Sequence, residues 1–250
     1  MMAIHHYYID RTQGWKRGQK RPHTRIINGY TAEEGDVPYI VRLTLGNASC
    51  GGTIIGDTWI LTAAHCLSGK LYATIYYGSN EKESNIFHRV LFHNFIIHEL
   101  YEPLPNLRFD IALVRTPRIE FSDTISQIAL PAVSDRYDRM VDERAKVCGW
   151  GLISLTVIPE ILECIDVRVI TNEECFKPNN EAIITDSLMC TGTATCFGDS
   201  GGPLVTDSLP PKLIGIVKGH FELCNANSVF TRVTSFLEWI HGKTNIPISE

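Results

Sequence analysis

The chain has 250 residues, 44% hydrophobic and 20% charged, enough for a large core in one domain or two small ones. Ordinary glycine, proline and aromatic contents exclude collagen-like and disordered chains, and no apolar run approaches the roughly 20 residues that span a bilayer. Residues 1–25 carry six basic residues (Arg11, Lys16, Arg17, Lys20, Arg21, Arg25) against Asp10, whereas the remainder is net −10, an acidic body that argues against a nucleic-acid partner.

In chain order, residues 1–25 read as a leader that is removed. Eight cysteines (Cys50, Cys66, Cys148, Cys164, Cys175, Cys190, Cys196, Cys224) point to disulfides and an oxidising compartment. The run Met1-Met2-Ala3-Ile4-His5-His6-Tyr7 lacks the apolar core of a secretion signal. The cysteines carry more weight, and an extracellular location is expected.

From Ile26 onward short apolar runs alternate with turns. Strands are predicted at 37–45, 52–55, 59–62, 111–114, 145–148, 166–170 and 213–217, each rich in β-branched residues and bounded by Asn, Gly, Asp, Ser or Pro. Many short strands with few helical stretches imply an all-β barrel or sandwich. Ser134 to Arg139 is a polar linker between two halves, 26–136 and 137–250. One helix is predicted at the C-terminus. Ser235 and Glu238 fit a capping box there, and Phe236, Leu237, Trp239 and Ile240 form one apolar face.

Three words in the sequence carry chemistry. Leu61-Thr62-Ala63-Ala64-His65-Cys66 places a histidine at the end of an apolar strand. Phe109-Asp110-Ile111-Ala112-Leu113 places an acid at the start of a buried strand, where an unpaired carboxylate is costly. Cys196-Phe197-Gly198-Asp199-Ser200-Gly201-Gly202-Pro203 sets a serine among glycines that let backbone N–H groups of Gly198 and Ser200 converge on one oxygen. Each alone has a dull explanation: a solvated loop histidine, an edge aspartate, a glycine-rich turn. Together, in the order His, Asp, Ser, they point to acyl transfer.

With Cys50-Gly51-Gly52, Gly149-Trp150-Gly151 and Thr231-Arg232-Val233 added, the chain from Ile26 to about Lys243 resembles the chymotrypsin/trypsin family of serine proteases. The wording around Ile27-Asn28-Gly29-Tyr30 is most similar to the Jonah-type insect gut chymotrypsins. The resemblance implies two six-stranded antiparallel β-barrels with a C-terminal helix and the site between the barrels. It implies a triad of His65, Asp110 and Ser200, no cofactor or metal, protein or peptide substrates, and a monomer. It also implies a zymogen. A trypsin-like protease cutting after Arg25 would free the α-amine of Ile26 to pair with Asp199, although Asn28 stands where the family has glycine. The resemblance pairs Cys50 with Cys66, Cys175 with Cys190, and Cys196 with Cys224. Cys148 and Cys164 lack their usual partners; they either pair across a hairpin near Thr156 or stay free.

The pocket expected from the resemblance has Ala194 at its base, then Thr195 and Phe197, with Ser228 narrowing the wall. An uncharged floor favours Leu, Met or smaller residues before the scissile bond. The substrate-backbone segment Val217-Lys218-Gly219-His220 departs from the family. Without a gap, Lys218 replaces the family's serine and His220 its glycine; with a one-residue gap, Gly219 matches the glycine. These departures keep a rival in view, a homologue that binds or regulates without catalysing.

Overall fold

The computed structural model describes residues 29–103, 107–153, 157–175, 185–220, 224 and 226–250. In the first half lie β1 (Tyr30–Thr31), β2 (Ile40–Leu45), β3 (Ala48–Gly56), β4 (Trp59–Thr62), helix α1 (Ala64–Leu67), β5 (Tyr72–Tyr76), β6 (Phe87–Leu91), β7 (Phe95–Ile97) and β8 (Ala112–Arg115). A 3₁₀ turn at Val133–Tyr137 leads to β9 (Arg144–Gly149), β10 (Glu163–Ile170), α2 (Asn172–Cys175), β11 (Leu188–Thr191), β12 (Pro203–Thr206), β13 (Leu213–His220), β14 (Ser228–Arg232) and α3 (Leu237–Thr244).

Two antiparallel sheets result, ordered β6-β5-β2-β3-β4-β8-β7 and β1-β10-β11-β14-β13-β12-β9. In the first, β6 and β7 are joined by a short 3₁₀ turn at Phe92–Asn94, so one bent path pairs with β5 at one end and β8 at the other. Six paths thus curl into a barrel around Leu43, Ile54, Ile60, Leu61, Ile75 and Leu113, all fully buried. In the second, β10 pairs with both β9 and β11, which closes a six-stranded barrel around Val147, Met189, Leu204, Ile214 and Phe230. The chymotrypsin-like fold is therefore present, and β1 adds a seventh strand to the second sheet through Tyr30↔Cys164 and Thr31↔Glu163.

The two termini of the described chain cross between halves. After β1, on the second sheet, the chain enters the first barrel. Helix α3 returns the other way: Trp239 packs on His98, and Lys243 pairs with Glu99 at 2.5 Å. The expected capping box does not form. A 3₁₀ turn at Val233–Phe236 precedes α3, so Ser235 lies before the cap position and donates instead to the Asp186 carbonyl, while Glu238 pairs with Arg136 at 2.9 Å. The first predicted strand starts later than expected, at Ile40, because residues 37–40 make a turn closed by Ile40 N–H to the Val37 carbonyl.

Candidate active site

His65 is placed by what surrounds it. β4 ends at Thr62, the chain turns into α1, and the flanking Ala64, Cys66 and Leu67 are all buried. The Cys50–Cys66 disulfide anchors that turn to β3. The imidazole is left 24% exposed, with Nδ1 2.7 Å from Asp110 Oδ2 and the His65 backbone N–H donating to Oδ1 at 2.9 Å. Asp110 is buried, 1% exposed, and an ionised carboxylate accepts only. The Nδ1 hydrogen therefore donates to it, and Nε2 is left as a base.

Asp110 is held by both halves of the molecule. The Thr231 hydroxyl on β14 donates to its backbone carbonyl at 2.9 Å. The preceding residue, Phe109, has φ +51°, an uncommon state for a bulky side chain. Its ring stacks on His98 with centroids 5.1 Å apart and meets Phe236 edge-on, contacts that offset the backbone strain.

Ser200 comes from the second barrel and is tied to the His65 turn through its backbone carbonyl. Gly51 N–H on β3 donates to its carbonyl at 2.8 Å. The Cys66 sulfur lies 3.7 Å from that carbonyl and 3.8 Å from His65 Nε2, so one atom touches both residues. Cys50, His65 and Cys66 thus cluster, but both sulfurs are spent in a disulfide and are no thiolate ligands. Among the described residues, the N–H groups of Gly198 and Ser200 donate to no protein acceptor.

Asp199, between them, points inward, where its carboxylate accepts from Gly151 N–H at 2.8 Å and Cys196 N–H at 2.9 Å. No cation reaches it among the described residues, and burial pushes its pKa up to about 6 despite those two bonds. Gly149 and Gly151 explain why the sequence has glycines on both sides of Trp150. A Cβ at either would fall within the Asp199 carboxyl group. Arg25 and Ile26 lie outside the described residues.

The pocket floor is buried and uncharged: Ala194 is 7% exposed, Thr195 2% and Ser228 0%. Ser228 was expected to narrow the slot, but its hydroxyl is drawn into the floor. It accepts from Ala194 N–H at 3.0 Å, Thr195 N–H at 2.9 Å and the Thr195 hydroxyl at 3.0 Å. Phe197 is exposed at the surface. β13 pairs with β14 through Val217↔Phe230, Gly219↔Val229 and His220↔Ser228, which leaves Lys218 as the extra residue of a bulge. Lys218 lines a small cavity together with Asp110. Residues 221–223 lie outside the described residues.

All eight cysteines are bridged: Cys50–Cys66, Cys148–Cys164, Cys175–Cys190 and Cys196–Cys224. Free thiols at Cys148 and Cys164 are ruled out, because β9 and β10 put the two residues directly opposite each other. Sequence reasoning did not assign roles to Thr231, Phe109, Gly149 or Gly151. Three of the quoted motifs contain these residues, but only the fold shows what each one holds.

Two antiparallel barrels that bring an imidazole–carboxylate pair against a glycine-bounded serine loop define a serine endopeptidase. The trypsin family profile matches residues 26–240, and the chain belongs to that family. It is 40% identical over 234 residues to Serine protease 1 of Drosophila melanogaster, covering 89% of this chain and 86% of that protein. It is 34% identical to the collagenase of Hypoderma lineatum (89% and 88% covered) and 32% identical to anionic trypsin of Canis lupus familiaris (86% and 88% covered). The solved structure of HL collagenase superposes with a TM-score of 0.79 at 34% identity, covering 89% of this chain and all of that one.

Proposed function

We propose that this chain is a secreted precursor that becomes active on cleavage after Arg25 and then cuts peptide bonds after apolar residues. In this reading Ser200 Oγ attacks the scissile carbonyl while His65 Nε2 takes its proton. The tetrahedral oxyanion is received by the N–H groups of Gly198 and Ser200. His65 passes the proton to the leaving amine, the acyl-enzyme forms, and water reverses the sequence. Asp110 keeps the imidazole in the right tautomer and stabilises the imidazolium. The observation that carries the reading is the 2.7 Å contact of His65 Nδ1 with a fully buried Asp110 carboxylate.

Precursor control is supported by Asp199, a buried carboxylate with two N–H donors and no cation among the described residues. A new α-amine at Ile26 is a partner of the right charge. Arg25 implies an activating protease that cuts after basic residues, and the four disulfides fit an extracellular enzyme. The relatives include both a collagenase and a trypsin, so kinship does not decide the substrate. The uncharged floor of Ala194, Thr195 and Ser228 supports an apolar residue, because a Lys or Arg buried there would lack a partner. The likeness to Jonah-type insect chymotrypsins fits the same preference.

The test is to cut the full chain after Arg25 and label it with a fluorophosphonate, using His65→Ala and Ser200→Ala as controls. Labelling that needs both residues, with Leu, Met and Phe substrates cleaved faster than Arg and Lys ones, is expected. A cut chain that takes no label would favour the non-catalytic homologue. A survey of cut sites dominated by Arg and Lys would reject the apolar preference.

A further inference from the structure

Behind Asp110, on the side away from His65, is a cavity of about 20 Å³, the room of a single water. Its lining includes Arg108, Phe109, Asp110, Thr185, Lys218 and Thr231. Lys218 enters because the bulge in β13 turns its side chain out of the ladder. It is partly buried, and its ammonium makes no hydrogen bond or ion pair among the described residues.

The Asp110 carboxylate receives two hydrogen bonds, both from His65. No other element donates to it among the described residues, so its charge is shared between the imidazole and whatever cation faces it from behind. The other charged or titratable groups nearby are accounted for. Arg108 turns outward to Glu102 at 3.5 Å. Tyr101 stays neutral, since burial and then the Asp110 charge push its hydroxyl up to about 12. His98 is stacked on Phe109, and burial lowers its basicity. Glu99 is paired with Lys243. That leaves Lys218, whose own basicity is lowered by burial and drawn partly back up by Asp110.

We infer that Lys218 is a positioning residue whose ammonium offsets the charge of Asp110, so that His65 stays a free base in more acidic media at the expense of turnover. This rests on the peptidase reading above and adds a control on its pH range. An imidazolium forms in the transition state and is steadied by Asp110. A cation behind that carboxylate opposes the imidazolium in the resting enzyme, which extends activity toward acid. It also opposes the imidazolium in the transition state, which slows the chemical step. Substrate binding has no such charge to stabilise, so KM is untouched.

The experiment uses the full chain cut after Arg25 and measures kcat and KM on an apolar peptide substrate from pH 4 to 9. Wild type is compared with Lys218→Met, which fills the same space without charge, with Lys218→Ser, and with Lys218→Arg, which keeps the charge. Removal of the ammonium should move the acid limb of kcat/KM up by about one pH unit. The plateau of kcat should rise about 3- to 10-fold, with KM unchanged, and Lys218→Arg should keep the wild-type limb. A thermal midpoint of Lys218→Met close to that of wild type shows that the fold is intact. An active wild type whose acid limb matches that of Lys218→Met overturns the inference alone. A wild type that neither cleaves nor takes a fluorophosphonate at any pH overturns the peptidase reading, and this inference with it.

Discussion

Replacing Asp199 by asparagine separates the charge of this side chain from its shape. In the uncut chain burial raises its pKa from the ordinary 3.8 to about 6, so the folded state holds a proton that the unfolded state has already released. The sign follows from linkage. The stability from the neutral acid is fully present below about pH 4 and is lost as pH rises through 6. Two pKa units correspond to about 3 kcal/mol in all, of which about 2 kcal/mol falls between pH 7 and pH 4. Asparagine stays neutral throughout and has no such dependence. Urea unfolding of the uncut chain at several pH values should therefore show wild type gaining about 2 kcal/mol on Asp199→Asn as pH falls from 7 to 4. For a chain of this size that is about 4–8 °C in melting temperature. Cutting after Arg25 should remove most of this swing, because a carboxylate paired with an amine has its pKa depressed and takes up its proton only below about pH 4. An uncut chain with no swing would contradict the burial of the carboxylate. The same swing before and after cutting would show that the new amine never reaches Asp199.

Three other substitutions test separate supports of the site. Gly151→Ala puts a methyl group into the Asp199 carboxyl and should cost about 1–3 kcal/mol in urea unfolding, with activity falling more steeply than stability. Phe109→Ala loses the stack on His98, while Phe109→Gly should be about 1 kcal/mol more stable than the alanine variant because φ +51° suits glycine; equal stabilities would show that the backbone relaxes. Changing Cys148 and Cys164 together to serine opens a loop with a sequence separation of 16 and should cost about 3 kcal/mol, read from the denaturation midpoint under non-reducing conditions.

The elements that the sequence made legible are those with strong alternation and clear turns. β4 runs from Trp59 to Thr62 as predicted, and β9, β10 and β13 contain their predicted cores. β6 was missed because it lies half-exposed, with His88 and Arg89 in its middle. β11 and β14 were missed for the opposite reason: every residue is buried, so no alternation marks them. The His65, Asp110 and Ser200 words were readable because the chemistry of each is packed into a few contiguous residues. What Ser228 does was not readable, since its partners Ala194 and Thr195 are 34 and 33 positions away. Lys218 was visible as an oddity, but its place behind Asp110 depends on a strand bulge that periodicity does not announce.

The crossing of the two ends bears on how the molecule is made. A ribosome delivers β1 long before β10, its pairing partner more than 130 residues later, and delivers the first barrel long before α3, whose Trp239 packs on His98. At about 5–20 residues per second, each early piece waits several seconds for its complement. Each barrel can close on its own strands as it emerges, and the last helix adds a layer over the first. The acid of the site lies under that layer, beside Phe109. A nascent or truncated chain lacking residues 237–244 keeps His98 and Phe236 against Phe109 but lacks Trp239, which packs on His98. The last cover over His98 is thus tied to the synthesis of residues 237–244.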